Sequence, residues 1–459
     1  MTGKPLSAVC SRIPRQNTRG LEGPLDKTDD DRLPGPDRSP AADPADQSEL
    51  DPPASDGYFI ERFAGYRNLK RRFAEAARHG VTVPFFQPRD GVSRSTIRWH
   101  GSELINFSGY NYLGLSGHPS VSAATKAAID KYGTSASASR IVSGQIELHG
   151  ELEKRLAAFL GTEDALIFIS GYLTNVTVIS HLLARPDAVI HDSGAHNSIM
   201  TGARLSGART MTFTNGDWNE FDSLMKKTRA DFRRGLLVSE GIYSMDGMKL
   251  DLPRAVESKK RHDLLLMVDE AHSFGIVGRT GRGICEEFDM PPSSIDVHMG
   301  TLSKTLASSG GYIAGDRGLI EYMRYLCPGF IFSVGLAPAD TAAALAALDV
   351  LEREPERPRK LREAARYFRK LARQWGLDVG GSEESPVISL IVGDDIAAMH
   401  LSQQLLLQGI HVQPIVRPAV SASTARLRFF ITLDHTEEQF RATIPTLARE
   451  LEQLRVQAP

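Results

Sequence analysis

The chain has 459 residues, a formal net charge of −2, 24% charged residues and 41% hydrophobic residues. This length predicts about three domains or one large two-domain enzyme, and the near-zero charge disfavours a dedicated nucleic-acid binder. The three cysteines, Cys10, Cys285 and Cys327, are too few for a disulfide framework or a four-cysteine zinc site. A reducing cytoplasm is therefore expected, and no apolar run reaches the length of a transmembrane helix.

The first 57 residues differ in composition from the rest of the chain. They hold 9 of the 25 prolines and no aromatic residue, the first being Tyr58. Such a segment cannot bury enough apolar surface to offset the entropy of ordering it, so we expect a disordered tail. A targeting peptide is disfavoured, because Pro5 and Pro14 would interrupt the amphipathic helix that a transit peptide needs. The predicted organisation is a tail at 1–57, an N-terminal segment at 58–115, a large domain at 116–340 and a small C-terminal domain at 341–459.

The large domain alternates short apolar runs with helix-like stretches. Several runs are almost continuously apolar, as in strands that helices cover on both faces. This alternation predicts a mostly parallel sheet, in which ligands bind at the carboxyl ends of the strands. The predicted strands lie at 165–169, 188–190, 210–213, 236–238, 264–268 and 295–297.

The last third of the chain predicts a smaller α/β unit with an antiparallel sheet. It begins with a helix, expected to be exposed, over 353–375. The remaining predicted elements are strands at 386–392, 410–416 and 426–432 and helices at 397–407 and 437–454.

One predicted strand runs directly into the sequence Asp269-Glu-Ala-His272. The aspartate could simply cap the next segment, with the histidine satisfied in a loop. Asp-Glu-Ala-His is also a helicase motif, but a helicase needs an upstream Gly-x4-Gly-Lys-Ser/Thr loop for phosphate. The only Gly-Lys pair is Gly3-Lys4, so the helicase interpretation fails.

The next predicted strand is followed by Thr301-Leu-Ser-Lys304 and a glycine-rich stretch. A lysine among small and hydroxyl residues could lie in a surface loop. In a partly dry pocket it would instead have a lowered pKa and could form a Schiff base. At an earlier strand end, Ser170-Gly171 precedes a helix whose free N–H groups would suit a phosphate.

Together these three strand ends fit pyridoxal 5′-phosphate (PLP). This cofactor needs a lysine for its aldehyde, a carboxylate for its pyridinium nitrogen and a cradle for its phosphate. Each feature alone is ambiguous, but Lys304 and Asp269 on successive strand ends support each other.

From residue 59 onward the chain resembles the α-oxoamine synthase family of fold-type I PLP-dependent enzymes, which includes serine palmitoyltransferase and 8-amino-7-oxononanoate synthase. The motifs that carry the resemblance lie at 110–114, 139–144, 149–153, 239–247, 269–272 and 301–304. Residues 202–208 are most similar to serine palmitoyltransferase. The resemblance implies a large, mostly parallel seven-stranded sheet domain with a smaller C-terminal α/β domain, and a homodimer with shared active sites.

The resemblance also implies a role for individual residues. Lys304 would bind the cofactor and move the α-proton, Asp269 would pair with the pyridinium nitrogen, and His196 would stack on the ring. The phenolic oxygen would contact His272 and Ser244. The phosphate would contact Ser170, Gly171, Tyr172, Thr301 and, from the neighbouring subunit, Ser333. Substrate-binding candidates are Arg428, Arg417, Tyr110 and Asn111, and no metal site is expected.

Arg428 is the preferred ligand of the substrate carboxylate, with Arg417 as a second one, because a guanidinium grips a carboxylate with two parallel bonds. Either arginine could also form only a surface ion pair. The sequence departs from the family pattern at Asn197, where alanine is usual. It also lacks the second proline that often follows the Arg417 position.

The reaction expected from this resemblance is the decarboxylative condensation of a small amino acid with an acyl thioester. The products are an α-amino ketone, CO2 and a free thiol. Serine is favoured over alanine and glycine, and the acyl carrier is coenzyme A or an acyl carrier protein. The alternatives are an aminotransferase or lyase of the same fold, and a non-catalytic partner subunit. The presence of Lys304 disfavours the last of these.

Overall fold

The computed structural model describes residues 60–417 and 419–457. The predicted tail at 1–57 lies outside the described residues, so its state stays a prediction. Among the residues that are described, no helix has both the length and the apolar character needed to cross a membrane.

The helices and strands follow one another along the chain in a largely alternating order. The helices are α1 (Ala64–Arg78), α2 (Pro119–Tyr132), α3 (Glu147–Leu160), α4 (Gly171–Leu182), α5 (Asn197–Ser206), α6 (Trp218–Thr228), α7 (Leu252–Arg261), α8 (Ile284–Glu287), α9 (Arg317–Leu326), α10 (Pro328–Ile331), α11 (Pro338–Arg353), α12 (Arg357–Gln374), α13 (Asp395–Leu407) and α14 (Glu437–Gln457). The strands are β1 (Thr96–Trp99), β2 (Ser102–Asn106), β3 (Asp164–Phe168), β4 (Ala188–Asp192), β5 (Arg209–Phe213), β6 (Gly235–Glu240), β7 (Leu265–Asp269), β8 (Val297–Thr301), β9 (Gly311–Gly315), β10 (Val387–Gly393), β11 (Ile410–His411), β12 (Pro414–Ile415) and β13 (Ala425–Phe430).

The large sheet has seven strands in the order β3-β9-β8-β7-β6-β4-β5. Six of its seven strands run in the same direction, whereas β9 is antiparallel to both of its neighbours, β3 and β8. The prediction of a mostly parallel, seven-stranded sheet is confirmed. Alternate residues of strand β6 belong to two hydrophobic cores, one on each face of the sheet. Leu236 and Val238 pack into one core, and Leu237 packs into the other. Because helices cover both faces, these strands are almost continuously apolar.

The strand predicted at 295–297 was placed too early, since β8 runs over Val297–Thr301. Gly300, near its end, is not a typical strand former. Glycine is required there because a side chain at Gly300 would lie 2.3 Å from the ring of Tyr312 on β9. The shift places the end of β8 beside the predicted Thr301–Lys304 motif.

The C-terminal region forms an antiparallel sheet in the order β10-β13-β12, which confirms the smaller α/β unit. The predicted strand at 410–416 is instead two short strands in different sheets. One of them, β11, pairs with β2 of the N-terminal hairpin, whereas β12 pairs with β13. The boundary predicted at 340 falls inside α11, and the division into domains stays a prediction.

The prediction of an exposed helix over 353–375 was wrong. The main helix there, α12, buries one face that carries Leu361, Ala365 and Phe368. These positions have helical spacing, as expected for a face that packs on a core. The many charged residues concealed this face, and one of them, Arg369, is itself fully buried.

Candidate active site

A cavity of about 370 Å³ opens at the carboxyl ends of the large-sheet strands. This position is where ligands bind in open α/β sheets. Loops after four strands, the start of α4 and strand β13 all contribute to its wall. Its polar lining residues include Tyr110, Ser170, Tyr172, Asn175, His196, Ser198, Glu240, Ser244, Asp269, His272, Thr301, Ser303, Lys304, Ser309 and Arg428.

Lys304 follows β8 and lines this cavity. Burial lowers the pKa of Lys304 to about 8; the negative charge of Asp269 opposes this shift, and the positive charge of Arg428 adds to it. Its Nζ atom lies 5.6 Å from the centre of the Tyr110 ring. A substantial fraction of this amine is therefore neutral, and hence nucleophilic, just above neutral pH.

Asp269 ends β7, next to the strand that leads to Lys304. Its Oδ2 accepts a hydrogen bond of 2.7 Å from the amide of Asn175, and its Oδ1 accepts one of 2.9 Å from the N–H of Ala271. Asn175 is fixed in turn by a bond of 2.9 Å to Ser198. Two donors to the anionic form hold this carboxylate in one orientation beneath the cavity.

His272 is buried beside the same cavity, and Tyr112 lies 2.7 Å from its Nδ1. Burial raises the pKa of Tyr112 well above its usual value and lowers the pKa of His272 well below its usual value. The tyrosine hydroxyl therefore donates to Nδ1 of a neutral imidazole, which leaves the hydrogen on Nε2.

His196 caps the start of α5. Its Nδ1 accepts from the N–H of Ser198 at 3.3 Å and lies 2.7 Å from the hydroxyl of the same residue. Burial lowers the pKa of His196, with Asp269 opposing the shift. These contacts hold a neutral ring at the cavity wall.

The start of α4 forms one end of the cavity. Ser170 caps this helix by accepting from the N–H of Leu173 at 3.4 Å. A side chain at Gly171 would lie 2.9 Å from Thr301 Oγ1, and one at Gly311 would lie 2.7 Å from the Cα of Gly171. Glycine at these positions lets β9 and Thr301 approach the free N–H groups of α4, an arrangement that suits an anion.

Arg428 on β13 brings the smaller sheet to the cavity. Its Nη1 donates to the carbonyl of Ser244 at 2.7 Å, and its guanidinium lies 4.7 Å from the ring centre of Phe430. Within the described part of the chain, its buried Nε has no hydrogen-bond partner. The residue therefore keeps donor capacity beside the cavity.

Three of the predicted site residues are not brought to the cavity. Arg417 pairs with Asp395 at 2.8 Å, and the amide of Asn111 donates to the carbonyls of Ser93 and Ser116. The hydroxyl of Ser333 donates to the carbonyl of Gly329 at 2.7 Å. Their predicted roles, including contact between Ser333 and a neighbouring subunit, stay predictions.

Asn175 and Glu240 also line the cavity, and Tyr112 contacts His272 behind its wall, although no role was predicted for these three residues. Asn175 lies four residues after Gly171, so helical spacing places both on one face of α4. Glu240 ends its strand as Asp269 does, which was a usable signal. The contact of Tyr112 with His272 joins residues 160 positions apart, and no local pattern predicts it.

Several known proteins are similar to this chain in sequence and in fold. A family model described as aminotransferase class I and II matches residues 102–446. An 8-amino-7-oxononanoate synthase from Symbiobacterium thermophilum is 39% identical over 349 residues, covering 76% of this chain and 88% of that protein. A serine palmitoyltransferase from Bacteroides thetaiotaomicron is 35% identical over 398 residues, covering 87% and 99%. The solved structure of Sphingomonas wittichii serine palmitoyltransferase matches with a TM-score of 0.82 at 29% identity, covering 87% of this chain and all of that one.

Proposed function

The chain belongs to the α-oxoamine synthase family of fold-type I, PLP-dependent enzymes, and from this membership we propose that it joins serine to the acyl group of a thioester. The class of reaction is the decarboxylative condensation of an amino acid with an acyl thioester. The convergence of Lys304, Asp269 and Arg428 on one cavity is the observation that carries the proposal.

The residues around the cavity fit PLP. The start of α4, at Ser170 and Gly171, offers free N–H groups for the phosphate, and Thr301 at the end of β8 offers a hydroxyl. Asp269, held by Asn175, offers a fixed anion for the ring nitrogen. The volume of about 370 Å³ is in the range of small-molecule sites.

When bound, PLP withdraws electrons from the α-carbon of the amino acid, so that bonds at that carbon can break and form. Lys304 would hold the cofactor covalently and, once released, move the proton at the α-carbon. Its lowered pKa keeps a neutral amine available for both tasks. Proton transfer by a positioned base is worth about 10²–10⁴-fold in rate.

Arg428 would bind the carboxylate of the amino acid through its fork of N–H groups. The bond from Nη1 to the carbonyl of Ser244 fixes the plane of that fork. Holding the carboxylate would determine which bond of the α-carbon stands perpendicular to the plane of the cofactor ring. This is a positioning effect. His272, with its hydrogen on Nε2, and Ser244 would contact the ring oxygen, while His196 would pack on the ring face.

Serine is supported by the serine palmitoyltransferase relatives, which align along almost their whole length. It is also supported by residues 202–208, which are most similar to serine palmitoyltransferase. The higher identity to 8-amino-7-oxononanoate synthases favours alanine as the second candidate, and glycine is the third.

The test is a screen of serine, alanine and glycine with the PLP-loaded protein and a series of acyl-coenzyme A thioesters. Serine with a long-chain thioester is expected to release one CO2 and one free thiol per amino ketone. Product from alanine or glycine alone would contradict the choice of serine. Amino-group transfer to a keto acid without thiol release would instead favour an aminotransferase and contradict the reaction class.

We also propose that the chain is a homodimer and resides in the cytoplasm. Large apolar side chains are exposed around the bridge between Ser139 and Val334, with Phe332 83% and Val142 78% exposed. A second copy of the chain would cover this patch and bring Ser333 near its cavity. Sedimentation is expected to give a dimer that Phe332→Asp weakens, and a monomeric parent protein would contradict the proposal.

The proposed cytoplasmic location rests on the low number of cysteines in the chain.

A further inference from the structure

Two buried carboxyl groups lie side by side beneath the cavity. Glu240 ends β6 and is the direct partner of Asp269 on the parallel strand β7. Neighbouring strands lie about 4.8 Å apart, and residues in register point to the same face. Both side chains line the cavity, and both are buried, with Glu240 only 3% exposed.

The two carboxyl groups differ in their hydrogen bonds. Asp269 accepts one bond at each oxygen, from Asn175 and from the N–H of Ala271. Glu240 accepts a single bond of 3.2 Å, from the N–H of Ser244 to its Oε2. Its Oε1 is buried and has no partner among the residues that the structure describes.

Two carboxylates this close cannot both ionise easily, and the one with more donors keeps the charge. An ionised glutamate only accepts hydrogen bonds, whereas a protonated one can donate. Asp269 is therefore the anion, and the proton belongs on the unpartnered Oε1 of Glu240.

We propose that Glu240 is a neutral carboxylic acid whose Oε1–H donates a hydrogen bond to an acceptor oxygen of the molecule bound in the cavity. The proposal rests on the proposed PLP function, because it assigns that molecule to the cofactor with its bound amino acid. Glu240 is then a positioning residue, which also limits the pocket to one carboxylate charge opposite Lys304 and Arg428.

The charged groups around Glu240 agree with this protonation. Burial raises the pKa of Glu240 well above its usual value; the charges of Asp269 and Asp192 raise it further, while Lys304 and the N–H of Ser244 oppose them. Asp192 ends the neighbouring strand β4 and accepts from the hydroxyl of Tyr243. Glu240, Asp269 and Asp192 thus lie close together with few positive charges to balance them, which favours a proton on one of them.

The test is infrared difference spectroscopy on the full-length protein, with and without PLP, comparing the parent with Glu240→Gln. At neutral pH, the parent is expected to show a carboxylic-acid carbonyl band that the variant lacks and that shifts when PLP binds. Glutamine keeps a donor and no charge, so Glu240→Gln should bind PLP within about threefold of the parent. Glu240→Ala, which removes the donor, should weaken binding by about tenfold.

The matched control is Glu270→Gln, at the buried glutamate that directly follows Asp269 in the chain. Glu270 is equally buried, but it accepts from Ser273 and from the N–H of Ile284, each at 3.0 Å or less. This variant should lose no acid band. Absence of an acid band in the parent, or loss of the same band in Glu270→Gln, would overturn the proposal. Failure of the parent to bind PLP would overturn the proposed function instead, and the band of the PLP-free protein would still report on Glu240.

Discussion

Lys304 and Arg369 are both basic side chains that the fold shields from water, partly for Lys304 and fully for Arg369, but their surroundings differ. The guanidinium of Arg369, on α12, donates to the carbonyls of Gly380, Ser385 and Val387. Lys304 instead lines an open cavity beside an aromatic ring and two carboxyl groups. Burial lowers the pKa of both groups, to about 10 for Arg369 and to about 8 for Lys304.

This difference separates a structural cation from a reactive one. The hydrogen bonds of Arg369 are used in joining α12 to the start of β10, so its charge supports the fold. The amine of Lys304 remains available to a molecule in the cavity. Burial alone therefore does not identify a functional residue; burial together with a place in the wall of an open cavity does.

The largest effect is expected from Lys304→Ala. Removing the amine should abolish the visible absorption of the lysine-linked cofactor and reduce turnover by at least about 10²–10⁴-fold, while the melting temperature stays near that of the parent. Absorption spectra and calorimetry measure the two outcomes. Lys226→Ala, at an exposed position on α6, is the control. Full activity in Lys304→Ala would contradict the assignment.

Arg369→Met should show the opposite pattern. It leaves three carbonyls without this donor, at about 1–3 kcal/mol for each unsatisfied group, so the free energy of unfolding should fall by at least about 3 kcal/mol. Denaturant titration measures this loss. The folded fraction should still bind PLP with the parent's absorption spectrum. A changed spectrum with unchanged stability would place Arg369 in the active site and contradict its structural role.

Arg428→Lys should weaken amino-acid binding by about 10–100-fold, because charged hydrogen bonds are worth about 1.5–3 kcal/mol and lysine lacks the planar fork. Spectral titration with serine measures this. Arg417→Lys is the matched comparison, and it should change binding by less than about threefold, since Arg417 pairs with Asp395 outside the cavity. A larger effect from Arg417 would make it the main ligand of the substrate carboxylate.

Tyr112→Phe should give the smallest effect. Losing the donor to His272 removes one hydrogen bond, worth about 0.5–1.5 kcal/mol, and frees the imidazole tautomer. Turnover is expected to fall by about two- to tenfold, with a small shift in cofactor absorption. Tyr312→Phe is the control, because the buried hydroxyl of Tyr312 has no partner in the described part of the chain. Equal effects from the two variants would remove the proposed role of Tyr112.

The large sheet and the residues of its motifs could be predicted from the sequence, because buried strands are continuously apolar and functional side chains lie at their carboxyl ends. Strand β8 was misplaced because Gly300, a poor strand former, is required by close packing against Tyr312 on β9, and no local sequence pattern shows that contact. The buried face of α12 was missed because charged residues surround it, and one of them, Arg369, is buried through bonds to carbonyls 11, 16 and 18 positions later. Asn175 and Tyr112 act through contacts across 94 and 160 positions, which only the folded chain brings together.

The central claim is that the fold holds Lys304 as a reactive, partly neutral amine. The most direct measurement is the rate at which the PLP-free protein captures PLP as a function of pH, followed by the visible absorption of the linked cofactor. Protonation blocks an amine as a nucleophile, so the rate should be low at acid pH and rise with a midpoint near the lowered pKa of about 8. A midpoint near 10.5, the ordinary value for lysine, would contradict the account, as would equal capture by Lys304→Ala.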